Sequence, residues 1–224
     1  MSSHLLIEMN DFGKIFLSHD EGTIIVKNLN FSITKGEFVS IIGKSGSDKS
    51  TLLNIIGLLD NKFEGSYRFD NLIVSEMSEE ELTKKRNQAI GFVFQNYNLL
   101  PEYTVKENIL IPNIYSDKKI EESAIDKVLE SVGLLGKKNA FPKALSGGQQ
   151  QRVAIARAII HEPQIIIADE PTGALDEETG KQIMALLTEL NEKGHTILMV
   201  THDLEVAAYS QQKYQLVDET LVKI

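Results

Sequence analysis

Residues 38–58 read FVSIIGKSGSDKSTLLNIIGL. An apolar run, 38–42, leads into a loop of small residues, GKSGSDKST at 43–51, and the loop runs at once into the apolar repeat LLNIIGLL. A buried strand, a small-residue loop and a helix opening on Lys-Ser form an arrangement suited to phosphate. Backbone N–H groups and the positive end of the helix face the anion, Lys49 adds charge, and Ser50 can ligate magnesium. The residues placed to contact phosphate are Gly43, Lys44, Ser45, Gly46, Ser47, Asp48, Lys49, Ser50 and Thr51. A Gly/Ser turn ending in a surface lysine is the structural alternative.

The strict pattern G-x-x-x-x-G-K-S/T is broken, because Asp48 stands where a second glycine should precede Lys49. Aspartate tolerates left-handed backbone better than most residues, but its β-carbon crowds a place where backbone approaches phosphate. Its carboxylate also repels the ligand. At an effective dielectric of about 20, two like unit charges ~6 Å apart cost about 3 kcal/mol unless Lys49 or magnesium screens them.

Outward from this stretch, strand-like runs at 90–94, 165–168 and 196–200 alternate with helical patterns, which predicts a largely parallel sheet flanked by helices. Near the start, 5–9, 24–29 and 67–74 alternate or pair across turn residues such as Glu64-Gly65 and Asp70-Asn71, predicting a small antiparallel sheet. Between 96 and 161 the spacing is helical at 104–110, 119–132 and 146–160, with breaks at Pro112, Gly133 and Pro142. This stretch reads as a helical insert packed on the α/β body. The runs Glu79-Glu80-Glu81 and Lys84-Lys85-Arg86 read as one solvated helix capped by Ser78 and Glu81.

With 224 residues, 42% hydrophobic and 25% charged, the chain reads as one elaborated soluble domain. The net charge of −9 disfavours a surface that wraps nucleic acid. Zero cysteines exclude disulfides, thiolate zinc sites and thiol catalysis. No apolar run reaches the ~18–20 residues of a membrane span, and the first residues carry no secretory pattern, so residence in the cytoplasm is expected.

Two further stretches carry chemistry. IIIADE at 165–170 is an apolar strand ending in two acids: Asp169 can hold magnesium through its water shell, and Glu170 can polarise a water for attack on a γ-phosphate. A pair of acids capping the turn at Pro171 is the plainer reading of that string by itself. LSGGQQQR at 145–152 opens a helix with Ser146 and Gln149 as a capping box. Gly147 and Gly148 cost helix stability, and their missing β-carbons leave N–H donors open to an anion at the helix N-terminus.

LSGGQ together with a phosphate loop and an IIIADE strand resembles the ATP-binding cassette (ABC) ATPases, over nearly the whole chain. The resemblance implies an α/β P-loop NTPase core with an N-terminal antiparallel β subdomain and an inserted α-helical subdomain. The core would comprise 1–94 and 162–224, and the insert 95–161. ATP and Mg2+ are the implied ligands, with Ser50, Gln95 and Asp169 toward the metal. Gln95, in FVFQ, matches the loop glutamine that senses magnesium and couples to a membrane partner. His202, in VTHD, matches the switch histidine at the γ-phosphate, and the catalytic set becomes Glu170, His202 and Gln95. Gly173-Ala174-Leu175-Asp176 matches a segment that touches the opposite subunit. Phe16 falls where the family puts an adenine-stacking aromatic, more usually Tyr.

The strings NIIGLLD, GFVFQNYNLLP and ADEPTGALD resemble the branch serving macrolide export, lipoprotein release and peptide-antibiotic resistance. The implied partners are a second ABC ATPase subunit, identical or related, and a separate integral membrane permease. The cassette would sit on the inner face of the cell membrane through that permease. Ser146, Gly147, Gly148 and Gln149 of one subunit would close over ATP held by the other. Other readings are a nucleotide switch whose turnover Asp48 suppresses, and a permease-bound ATPase for cell-wall remodelling. A soluble cassette of DNA repair or translation would carry coiled-coil insertions or a second cassette, and neither is in this sequence.

Overall fold

The computed structural model describes residues 4–18, 21–43, 49–115 and 119–224. Two sheets form the body. The first is antiparallel and joins β1 (Leu5–Ser18), β2 (Glu21–Thr34), β4 (Glu64–Phe69) and β5 (Leu72–Ile73) in the order β2-β1-β4-β5. The second joins β3 (Phe38–Ile42), β6 (Ile90–Phe94), β7 (Ile165–Asp169), β8 (Thr196–Thr201), β9 (Gln212–Val217) and β10 (Thr220–Lys223) in the order β10-β9-β3-β8-β7-β6. Strands β9, β3, β8, β7 and β6 run parallel, and β10 is antiparallel to β9. The helices are α1 (Lys49–Ile56), α2 (Glu79–Ala89), α3 (Val105–Leu110), α4 (Glu122–Ser131), α5 (Gly147–Ile159), α6 (Glu177–Glu192) and α7 (Leu204–Ala207). None is long and apolar enough to cross a membrane among the described residues.

The parallel strands read as continuous apolar runs because both of their faces are covered. Ile165, Ile167, Leu198 and Val200 point into one core, with α1, α2 and the antiparallel sheet. Their neighbours Ile166, Ala168, Ile197 and Met199 point into the other, against residues of α3, α4, α5 and α6. Period-two alternation thus assigns successive residues to two cores. Reciprocal capping boxes open three of the described helices: Ser78 with Glu81, Thr104 with Glu107, and Ser146 with Gln149.

Two features depart from the sequence expectation. Asp70-Asn71 does turn the chain between β4 and β5, with both residues left-handed (φ 51° and 65°), but Glu64-Gly65 begins β4 instead of turning. Gly65 is needed there for close approach. At φ 81° a β-carbon on it would lie 2.3 Å from the Asp11 carbonyl oxygen, where the β1–β4 register shifts. The second departure is the C-terminal hairpin β9–β10, turned by left-handed Asp218 and Glu219 and tied to β2 by Lys27. Its pattern in sequence is too polar and half-exposed to mark a strand pair.

Candidate functional site

Parallel register gathers the functional side chains at one edge of the sheet. Ile42 pairs with Thr201, Val200 with Asp169, and Asp169 with Phe94, so the residues that leave the carboxyl ends of β3, β8, β7 and β6 emerge together. Ligands of open parallel sheets bind at that edge.

Lys49, at the start of α1, is 7% exposed and donates to the Gly43 carbonyl oxygen at 2.8 Å. Next to it the Ser50 hydroxyl donates to Asp169 Oδ2 at 3.3 Å. Thr51 follows on α1, half-buried. Lys44, Ser45, Gly46, Ser47 and Asp48 lie outside the described residues, as does the side chain of Phe16, whose backbone pairs with Thr23 in β1–β2. Burial holds the Asp169 carboxyl above its ordinary 3.8. The Ser50 hydroxyl pulls it down, the adjacent Glu170 charge pushes it up, and Lys49 opposes.

Glu170 has left-handed backbone, φ 47°, a conformation costing about 1–2 kcal/mol for an L-residue with a β-carbon. Its N–H donates to Val200 at 2.9 Å, and its carbonyl accepts from Gly173 at 3.0 Å. The turn throws the carboxylate toward β8. There Oε1 meets His202 Nδ1 at 2.8 Å, and Oε2 accepts from the Thr201 hydroxyl at 3.3 Å. The Glu170 side chain is 15% exposed and that of His202 62%, so the pair lies at the rim with its acid inside.

Gln95, next after β6, is exposed. A β-carbon on Gly173 would stand 2.9 Å from its amide nitrogen, so the two segments touch. Among the described residues it makes no hydrogen bond to Ser50 or Asp169. Asp176 caps α6, accepting from the Thr179 N–H at 2.9 Å and the Thr179 hydroxyl at 2.7 Å.

The Ser146–Gln149 turn lies against the 171–176 loop, where a β-carbon on Gly147 would stand 3.3 Å from Leu175. Gln151, fully buried one turn along α5, donates to the Pro171 carbonyl at 2.8 Å. The two glycines have a packing role that local sequence could not show. A β-carbon on Gly147 would lie 2.9 Å from Tyr97 Oη, and one on Gly148 would lie 2.3 Å from the Thr179 methyl. Sequence reasoning missed Tyr97, Gln151, Arg157, Thr179 and Thr201. Arg157, on α5, donates to the Tyr97 and Asn98 carbonyls at 2.7 and 2.6 Å, where both residues are left-handed (φ 60° and 48°). A span of 59 or 60 residues separates those partners, so no local motif announces them.

Fold and site together are those of a cassette of the ABC class. Residues 26–173 match the family model described as ABC transporter, and the chain belongs to that family. It is 44% identical over 219 residues, 97% of its length, to the macrolide export ATP-binding/permease protein MacB of Neisseria meningitidis serogroup B. It is likewise 44% identical over 225 residues to MacB of Marinobacter nauticus. The chain spans about a third of those relatives, 34% and 35% of their lengths. Among solved structures, the ATP-binding cassette MJ0796, in a dimeric post-hydrolysis state bound to ADP and Pi, matches with a TM-score of 0.87 and 43% identity over 97% of both chains. CbiO1 of Clostridium perfringens, part of the ABC transporter complex cbiONQ, matches with a TM-score of 0.86 and 28% identity, over 98% of this chain and 87% of that one.

Proposed function

We propose that this chain binds Mg-ATP at the carboxyl edge of its parallel sheet, hydrolyses it in a two-cassette assembly, and so drives an integral membrane permease. The observation that carries the reading is the convergence of Lys49, Ser50, Asp169, Glu170 and His202 on that edge. The dimeric state of the ATP-binding cassette MJ0796 supports a second subunit, identical or related, and the relatives named for macrolide export support a permease partner and export as the direction. A place on the cytoplasmic face of the membrane follows from that partnership.

The side chains suit magnesium. Among the described residues no three His, Asp or Glu side chains converge as a metal cage. Ser50 and Asp169 supply a hydroxyl and a carboxylate oxygen, and a hard octahedral cation that keeps waters and phosphate oxygens needs little more from protein. Gln95 would join them from the end of β6. The bound cation would neutralise charge on the terminal phosphates.

The chain's own groups do the rest. Lys49 gives up the Gly43 carbonyl for phosphate oxygens, and the backbone of 43–51 cradles them. Glu170 takes a proton from the attacking water, while His202 fixes the carboxylate that receives it. Ser146, Gly147 and Gly148 of a second copy close over the γ-phosphate, Gln149 fixing their turn through the capping box. Hydrolysis removes the bridging charge and lets the copies part.

Residues 95–161 would form the helical subdomain and 1–94 with 162–224 the core. Between them lies a groove of about 590 Å³ walled by Phe92, Phe94 and Ile111, with Leu59 half-exposed and Arg86 and Arg157 alongside. Phe92 and Phe94 stack in parallel, centroids 5.6 Å apart. We assign that groove to the permease. Calorimetric titration with ATP, with and without magnesium, tests the reading: magnesium-dependent uptake that Lys49→Ala abolishes is expected, and no uptake by the wild type at millimolar ATP would refute it.

A further inference from the structure

We propose that Thr201 is a positioning residue for Glu170, the second of two groups that hold its carboxylate in the orientation a base requires. The inference rests on Glu170 being the base of an ATPase. Glu170 stands on left-handed backbone at the end of β7, where its side chain could swing widely, yet each carboxylate oxygen has its own partner. His202 Nδ1 takes Oε1 at 2.8 Å, and the Thr201 hydroxyl donates to Oε2 at 3.3 Å.

The Thr201 hydroxyl is itself fixed. Its oxygen accepts from the Asp203 N–H at 3.1 Å, and that acceptance leaves its single proton for Glu170. Asp203 in turn caps α7, its carboxylate accepting from the Glu205 N–H at 2.8 Å. Thr201 is 1% exposed, so no water competes for its proton, and a β-branched side chain has few rotamers to wander among. Being paired with Ile42, it also sits beside the strand that feeds the phosphate loop. His202, by contrast, is largely exposed and moves more easily. Of the two clamps Thr201 is the rigid one. It keeps one oxygen in place while the histidine side is free to exchange Glu170 for phosphate.

A misplaced base loses turnover without losing substrate, because ATP is held by Lys49 and the loop at 43–51. The test is steady-state Mg-ATP hydrolysis by the full chain carrying Thr201→Val, Thr201→Ala and Thr201→Ser, each also combined with Glu170→Gln, with Tm recorded for every variant. Expected results are a fall in kcat of about tenfold for Val and Ala, KM within about twofold of the wild type, and return of kcat with Ser. No further loss is expected when either is added to Glu170→Gln.

Wild-type kcat in a folded hydroxyl-less variant overturns the proposal. So does failure of Ser to restore turnover, or an equal added loss in the Glu170→Gln background, either of which would mark a merely structural role. A wild type without hydrolysis, or a Glu170→Gln variant as active as the wild type, would instead overturn the ATPase reading on which the proposal stands.

Discussion

Gly148 in the first turn of α5 lies directly against Thr179 of α6: a β-carbon on the glycine would fall 2.3 Å from the threonine methyl, and Gly148 is buried. The methyl cannot easily retreat, since rotating it away would break the Thr179 hydroxyl's bond to the Asp176 carboxylate at 2.7 Å. Gly148→Ala therefore overpacks. The cost, partly offset by better helix propensity, should be about 1–2 kcal/mol, or roughly 2–8 °C in Tm. Thr179→Ser keeps the hydroxyl, removes the methyl and should restore most of that loss. Gly147→Ala, meeting the movable Tyr97 hydroxyl, should cost less. Thermal melts of Gly148→Ala, of Gly148→Ala combined with Thr179→Ser, and of Gly147→Ala check this, and an inert Gly148→Ala would contradict it.

Ionised Asp169 is a stability liability when no cation is bound to it. Its carboxyl is held above 3.8, mainly by burial, so the folded state resists its ionisation. Stability contributed by this group is intact below 3.8, falls as pH rises through the interval up to the raised folded value, and stays lower above it. Asp169→Asn, measured in EDTA without nucleotide, should thus raise Tm near neutral pH, with the gain closing as pH drops toward 4. The same variant should lose stabilisation by Mg-ATP. A gain that persists undiminished into acid would show that the charge is not its source.

Arg157 links α5 to the loop after Gln95 through two backbone carbonyls of left-handed residues. Burial holds its guanidinium below the usual arginine range. Arg157→Met should cost about 2 kcal/mol, because two charge-assisted bonds are lost while the carbonyls regain water only in part. Arg157→Lys should recover less than half, since an ammonium cannot reproduce a planar fork. Urea unfolding midpoints decide it. Full recovery by lysine would mean that charge alone matters.

Much of this architecture was legible in the sequence because its strands are buried on both faces: 38–42, 90–94, 165–168 and 196–200 announce themselves as apolar runs, and β3, β6, β7 and β8 occupy them. Capping boxes at Ser78 and Ser146 were equally plain, being local chemistry. The hairpin β9–β10 was not, since an edge ribbon with polar, half-exposed residues carries little periodicity. In sequence Thr201 is only the residue that follows the strand-like run 196–200. Its partner Glu170 lies 31 residues away and is reached through sheet register, which no spacing reveals. Gly148 stands out in sequence as a glycine in the first turn of a helix, but the side chain that excludes a β-carbon there belongs to a different helix.

In the sequence Asp48 stands where the phosphate-loop pattern has a glycine, and on that reading its charge would face the ligand's. Removing a repulsion of about 3 kcal/mol, less whatever Lys49 and magnesium screen, should tighten ATP binding tenfold or more in Asp48→Gly. Titration of both proteins with ATP at fixed magnesium measures the ratio. Equal affinities would show that the loop already neutralises the aspartate.

The most direct test of the whole account is the solution mass of Glu170→Gln, by light scattering coupled to size exclusion, at saturating Mg-ATP and again at saturating Mg-ADP. With the base removed and the phosphate cradle intact, ATP should accumulate between two diglycine turns and the mass should double, whereas ADP should leave the monomer. A mass that is the same in both nucleotides would contradict the account.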